Sequence, residues 1–295
     1  VMGTGAKFPA KYQRAIFIND WTYGTMYAVH PVASGGGYTS KVEEFVSGRP
    51  LPLTDVIIHP QDGAMYFMIG GRRTQSALYR VRYTGKESTA SVKALPLTAE
   101  AKLRLELESL HEGKGSAASV KKALKYLGHE DRHVRYAARV ALERQKASGW
   151  GAVVLGEKNP WALIEGMVGL ARVGVKKEQA AILQALGRLN PKSLSREQLL
   201  AWLRAHSLAF TRMGEPEKKE ELVKRFLPLF PSGDNIVDRD LAEILIYLKA
   251  PSVVPTALQL MATAKDDHTA LTNEGVLNRN DRYAKAARAT HNSRP

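Results

Sequence analysis

No cysteine occurs in the 295 residues. That absence excludes disulfides, thiolate nucleophiles, iron–sulfur clusters and covalently attached c-type haem within the chain. It leaves the compartment open, because secreted proteins can also lack cysteine. Aromatic residues make up only 7% of the sequence, and no apolar run approaches the roughly 18 residues of a membrane span. Acidic residues are few against basic ones: 29 Asp and Glu face 43 Lys and Arg, a formal net charge of +14. Such an excess directs attention to anionic partners, and it concerns association, not fold. It is spread along the chain, with 10 basic and 6 acidic side chains in residues 1–90 and 33 and 23 beyond. Catalytic constellations are missing too. There is no Ser/His/Asp order and no His-Glu-x-x-His, and the eight histidines are scattered singly. Gly3-Thr4-Gly5-Ala6-Lys7 has the composition of a phosphate loop but no preceding strand, and Pro9 follows it.

What is present changes character near residue 98. Before it, short β-rich runs fall at 14–19, 25–30 and 41–46, separated by Tyr23-Gly24 and Gly35-Gly36-Gly37. Two more flank Pro60-Gln61-Asp62-Gly63, a hairpin turn in which Pro presets φ and Gly supplies positive φ. The last, 78–83, alternates Tyr79, Val81 and Tyr83 with Leu78, Arg80 and Arg82, an apolar row and a basic row. Closely spaced short strands without intervening helix predict a sandwich or a propeller.

After residue 98 the period becomes helical. Val134, Ala137, Ala138, Ala141 and Leu142 form one amphipathic stripe, with Arg139 and Glu143 expected to pair at i, i+4 on the wet side. Leu163, Leu170, Arg172, Gly174, Leu186 and Leu189 each have a counterpart 40 residues on, at the lower edge of the HEAT and armadillo range. Helices are predicted at 99–112, 117–128, 131–146, 160–173, 177–189, 196–212, 217–229, 238–249, 253–264 and 279–290, the main alternative being an irregular bundle. Ser195 with Gln198 forms a capping box. Residues 265–280 read as a polar loop. Arg279, Arg282, Lys285 and Arg288 recur every third residue in the last helix, read first as a solvated face and second as a contact surface. The Val1-Met2 opening and the missing polar cap after this helix lead to the expectation that the chain is a piece of a longer polypeptide.

One series of motifs carries a family resemblance. Ile16-Phe17-Ile18-Asn19-Asp20-Trp21 with Gly24, Thr54-Asp55-Val56, His59 through Phe67, Gly70-Gly71-Arg72 and Leu78-Tyr79-Arg80-Val81 resemble the closing blades of the sugar/sorbosone dehydrogenase-like β-propeller, related to the quinoprotein glucose dehydrogenases. More narrowly, the chain resembles large bacterial proteins in which that propeller precedes HEAT-type helices and a cytochrome c domain. The resemblance implies a partial β-propeller of about two blades (1–85), a linker (86–97), a HEAT-like α-solenoid (98–264) and a polar loop with a basic terminal helix (265–295). It further implies an extracytoplasmic redox parent carrying haem c, with a quinone as a second cofactor, and as partners the remaining blades and the cytochrome domain of the same polypeptide. One departure stands out. Quinone-binding relatives place two arginines before the Asp matching Asp55, where this chain has Pro52-Leu53-Thr54.

Asp20, Asp55, Arg72 and Arg73 are the candidate cofactor residues. Each also has a plainer role: the two aspartates as turn or backbone-capping carboxylates, the two arginines as loop or ion-pair residues. No catalytic or metal-ligating residue is assigned. By resemblance the chain is a non-catalytic piece of the redox protein. The alternative is a protein-interaction scaffold using the helical surface. Nucleic-acid binding ranks third, since no reader motif accompanies the charge.

Overall fold

The computed structural model describes residues 1–71, 73–112, 115–263, 278–280 and 283–285. Contacts divide the chain into two units, Val1–Leu97 with Asp266–Pro295, and Thr98–Lys265.

In the first unit a short helix, α1 (Ala10–Gln13), precedes β1 (Ile16–Asp20), β2 (Thr25–Ser34), β3 (Gly37–Ser47), β4 (Leu53–Ile58), β5 (Met65–Gly71) and β6 (Thr74–Val81). They form two antiparallel meanders, ordered β1-β2-β3 and β4-β5-β6. Alternation decides which side chains go inward: Phe17, Met26 and Ala28 of one sheet and Val56, Met65, Phe67 and Ile69 of the other are buried in one shared core. The tight turn after β4 is closed by Gly63, whose φ of 67° favours glycine.

No propeller is formed. The expected partial β-propeller followed by a HEAT-like α-solenoid is corrected to a mixed α/β chain with two small, open, three-stranded sheets and a separate helical unit. Each sheet stops at three strands, one short of a four-stranded blade. After β6 the buried Gln13 holds the segment that follows. Its Nε2 donates to the carbonyls of Phe8 (2.8 Å), Ala90 (2.9 Å) and Thr89 (3.3 Å), and its Oε1 accepts from the Val92 amide (3.2 Å). Backbone groups held by a side chain are not available to a sheet ladder.

The helical unit contains α2 (Ala99–Glu108), α3 (Ala117–Tyr126), α4 (Arg132–Glu143), α5 (Gly151–Leu155), α6 (Pro160–Val173), α7 (Gln179–Leu186), α8 (Arg196–Met213), α9 (Lys219–Phe226), α10 (Asn235–Tyr247) and α11 (Val253–Thr263). Starts are fixed by side-chain caps: Thr98, Ser116, Asp131, Asn159, Ser195 and Asp234 each accept from a first-turn amide. Ser195 and Gln198 complete the capping box. α4, α6, α8 and α10 pack in succession, α2 lying on α4. Small residues allow the approach: Ala137, Ala138 and Ala141 on α4 are buried, and a Cβ at Gly166 would lie 2.6 Å from Val154. Arg212 donates to the carbonyl of Arg172, 40 residues earlier, at 3.1 Å.

Two expectations fail within this unit. Arg139 is not on a wet face: its side chain is only 11% exposed, because α6 lies over it and supplies Glu165. Gly151–Leu155, with no predicted helix, forms α5, whose single turn is too short to show a helical period.

Candidate functional site

All three connections at one end of the sheet unit meet around a cavity of about 410 Å³. They are the β1–β2 turn, the β3–β4 link and the β5–β6 turn. Trp21, Thr22 and Tyr23, then Gly48 to Pro52, then Thr74 line it, and Arg279 and Asn280 complete the wall. Antiparallel meanders bring these segments together because alternate connections share an end. Gly24, at φ 64°, must be glycine here: a Cβ would sit 2.6 Å from the Gly48 carbonyl.

Polar groups hold this end in place. Asp20 Oδ1 accepts from the amides of Thr22 (2.8 Å) and Tyr23 (3.0 Å), an Asx turn. Trp21 Nε1 donates to the Gly70 carbonyl at 3.0 Å, joining the two sheets. Arg279 donates to the buried Thr25 hydroxyl (2.7 Å) and to Glu44 (2.8 Å), while Asn280 donates to the Thr22 carbonyl (2.7 Å). Glu44 raises the Arg279 guanidinium pKa, and burial raises that of Tyr27 beside it. Aromatic and proline surface, backbone carbonyls and a guanidinium already held by a carboxylate equip the cavity for binding more than for bond making.

The candidate cofactor residues do not converge. Asp20 works as a turn carboxylate. Asp55 Oδ1 accepts from the Val56 amide at 2.7 Å on an exposed stretch of β4. Arg73 is exposed, with a left-handed φ of 60° in the β5–β6 turn. Arg72 lies outside the described residues. A quinone carboxylate would need guanidinium donors near Asp55. Pro52 and Leu53 are buried there and the Thr54 hydroxyl donates to the Met68 carbonyl, so these residues do not fit a quinone. Haem c has no thiol to attach to in this chain. Comparison with protein families, curated proteins and solved structures finds no match to this chain. The resemblance therefore rests on its motifs alone. Among the described residues no group of His, Asp and Glu is arranged to hold a metal ion, and no helix is long and apolar enough to cross a membrane.

Further polar centres lie away from this cavity, and of their contacts only the Arg139–Glu143 pair was expected from the sequence. At the β4–β5 turn, Asp62 accepts from the Ala64 amide (2.9 Å), the Tyr66 hydroxyl (2.9 Å) and Arg80 (2.7 Å). The amide bond first, then Tyr66, Arg80 and His59, hold its carboxyl down at about 2. The helical unit buries Arg135, whose Nη1 donates to the carbonyls of His129 and Glu130, both at 2.7 Å, with the guanidinium 3.7 Å from the centre of the Trp161 ring. Arg139 bridges Glu143 (2.7 Å) and Glu165 (2.8 Å), and Arg172 reaches Glu143 (2.8 Å). His206 is fully buried among Trp202, Phe210 and Phe226, and burial lowers its pKa to about 3. These are framework interactions. The one local signal for them was Asp62, four residues before Tyr66 in a Pro-Gln-Asp-Gly turn; Gln13 and His206 carry none.

Proposed function

We propose that the chain is a non-catalytic protein-interaction scaffold. The supporting observation is on α11, where Val254, Leu258 and Met261 follow one another at i, i+4 and i+7 and are all exposed, Met261 by 74%. Ile246 and Tyr247 at the end of the adjoining α10 are exposed as well. A helical apolar stripe turned to solvent is the surface by which one folded module docks on another. The partner is a protein surface of matching apolar character. A photo-reactive amino acid at Leu258, introduced in the cell that makes the protein, should give one discrete cross-linked species, abolished by Val254→Glu. A diffuse smear unaffected by that change would sink the reading.

The motif series from Ile16 to Val81 supports a narrower version. There the partner is a haem c-bearing part of the same extracytoplasmic polypeptide, as the resemblance implies. Reading the coding sequence downstream for a Cys-x-x-Cys-His decides it, and its absence would remove the cytochrome while leaving the scaffold.

A further inference from the structure

We infer that the free edge of β6 takes up an acidic, extended peptide segment as a fourth strand of its sheet. β6 is an edge strand of eight residues, TQSALYRV, with no proline. One row of its backbone N–H and C=O groups serves β5; no described residue hydrogen-bonds to the other row. Natural edges are usually blunted by charge, bulges or cover. The corresponding edge, β3, is treated that way, since Lys11 and Arg279 reach to its Glu43 and Glu44. Among the described residues β6 has no such cover.

The chemistry of the incoming strand can be read from the register. On the outer face two rows cross the sheet, Asp55–Met68–Leu78 and Ile57–Tyr66–Arg80. Leu78 is 66% exposed at the end of the first row, and Arg80, which donates one Nη2 bond to Asp62 and keeps its side chain 45% exposed, ends the second. A strand added beside β6 continues both rows, so it presents an apolar residue beside Leu78 and a carboxylate beside Arg80, two residues apart on one face. The surrounding charge agrees. Residues 71–86 carry Arg72, Arg73, Arg80, Arg82 and Lys86 and no acid. A peptide is favoured over nucleic acid because the unused groups are a row of backbone donors and acceptors, the pattern of strand addition. The aromatic ring nearest the edge, Tyr79, is already stacked on Phe67 at 4.9 Å.

This inference builds on the scaffold reading but uses a surface in the other unit, so the two can fail separately. The probe is a labelled octapeptide, Val-Thr-Glu-Thr-Val-Thr-Glu-Thr, titrated into the full chain and followed by anisotropy. Three comparison ligands are used: the same peptide with Lys for Glu, the same peptide N-methylated at alternate residues, and an oligothymidylate. The acidic peptide should bind at least about fivefold more tightly than the lysine version, and N-methylation of the pairing edge should abolish binding. Arg82→Glu should weaken the acidic peptide and strengthen the lysine one. Leu258→Glu with Met261→Glu should leave both unchanged. Equal binding of the N-methylated peptide overturns the inference, because main-chain pairing is then not used. So does tighter binding of the oligonucleotide at the same site, or no binding of the acidic peptide to a chain whose β-sheet spectrum is intact.

Discussion

The two units handle charge in opposite ways. In the sheet unit the charged side chains sit at turns and edges: Asp20, Asp62, Glu44 and Arg279 fasten loops while the space between the sheets is filled by Phe17, Met26, Met65 and Phe67. In the helical unit guanidinium groups enter the packing itself, Arg135 under Trp161 and Arg139 between Glu143 and Glu165. Geometry explains the contrast. A period of two sends each side chain fully inward or fully outward. Neighbouring helices leave a seam between them, where a long arginine stem packs and its head still finds carboxylates and carbonyls.

The contrast breaks most sharply at Arg139 and Ala138. Arg139→Asp places a third carboxylate beside Glu143 and Glu165 in a half-buried seam and should cost about 3–5 kcal/mol. Ala138→Asp, at a fully buried position, should cost on the order of 3 kcal/mol or more. Chemical denaturation of both variants checks this. A loss near 0.5 kcal/mol for Arg139→Asp would mean that the seam is wet and the guanidinium behaves as it does on a surface.

Next in size is the pH response of the helical core. His206 Nδ1 donates to the Trp202 carbonyl at 2.9 Å, and its Nε2 is buried without a partner. Its pKa is about 3 when folded, against an ordinary 6.5, so the unfolded chain binds the extra proton between those values. Stability from this residue is complete above about pH 6.5 and falls steadily as pH drops toward 3. At pH 5 the loss is about 2 kcal/mol. His206→Phe should flatten the melting temperature between pH 5 and pH 7, a window in which Asp62 and Asp234, both held at about 2, do not titrate. A variant that keeps the wild-type slope would assign the acid sensitivity elsewhere.

These effects trace how far the sequence could be read in advance. The α4 stripe, the Ser195 cap and the 60–63 turn were legible, because period and turn chemistry are local. Arg139 was misplaced because its burial depends on α6, whose seam with α4 no local pattern reveals. The propeller expectation failed for a similar reason. Motifs at 16–21 and 59–67 describe strands and turns, whereas a blade also needs a fourth strand, which neither sheet has, and the segment after β6 is held by Gln13, 76 to 79 residues earlier. Of the candidate site, Asp20 was legible as a turn carboxylate. Arg279 was visible only as one member of a basic stripe, and its partner Glu44 is 235 residues away.

A smaller effect separates the Asp62 turn from the rest of the sheet unit. Asp62→Asn removes the charge that Arg80 and Tyr66 hold while leaving the oxygen that accepts from Ala64. The carboxylate's contribution is present above its ordinary pKa near 3.8 and lost as pH falls through about 2. At neutral pH the variant should therefore melt a few degrees lower, and the difference should vanish near pH 2. Faster amide exchange confined to residues 59–66 and the neighbouring part of β6 would locate the loss. Slower exchange there would contradict the role given to the charge.

The smallest change tests whether the loop end of the sheets is built for ligand or for turn. Arg73 occupies φ 60°, a region that costs a residue with a Cβ roughly 1–2 kcal/mol. Glycine enters that region freely but gives up about 0.5–1 kcal/mol more backbone entropy on folding. Arg73→Gly should therefore leave stability unchanged or raise it by up to about 1.5 kcal/mol, with no change in the β5–β6 pairing. If the backbone strain is maintained by the fold alone, Arg73→Ala should remain near wild type in stability, because it keeps the Cβ and the strain while losing only the exposed guanidinium. If the guanidinium instead anchors the turn, Ala and Gly should both destabilise. That outcome would restore Arg73 as a residue with an anionic contact and weaken the contrast between a sheet unit that keeps its charges on the outside and a helical unit that draws them in.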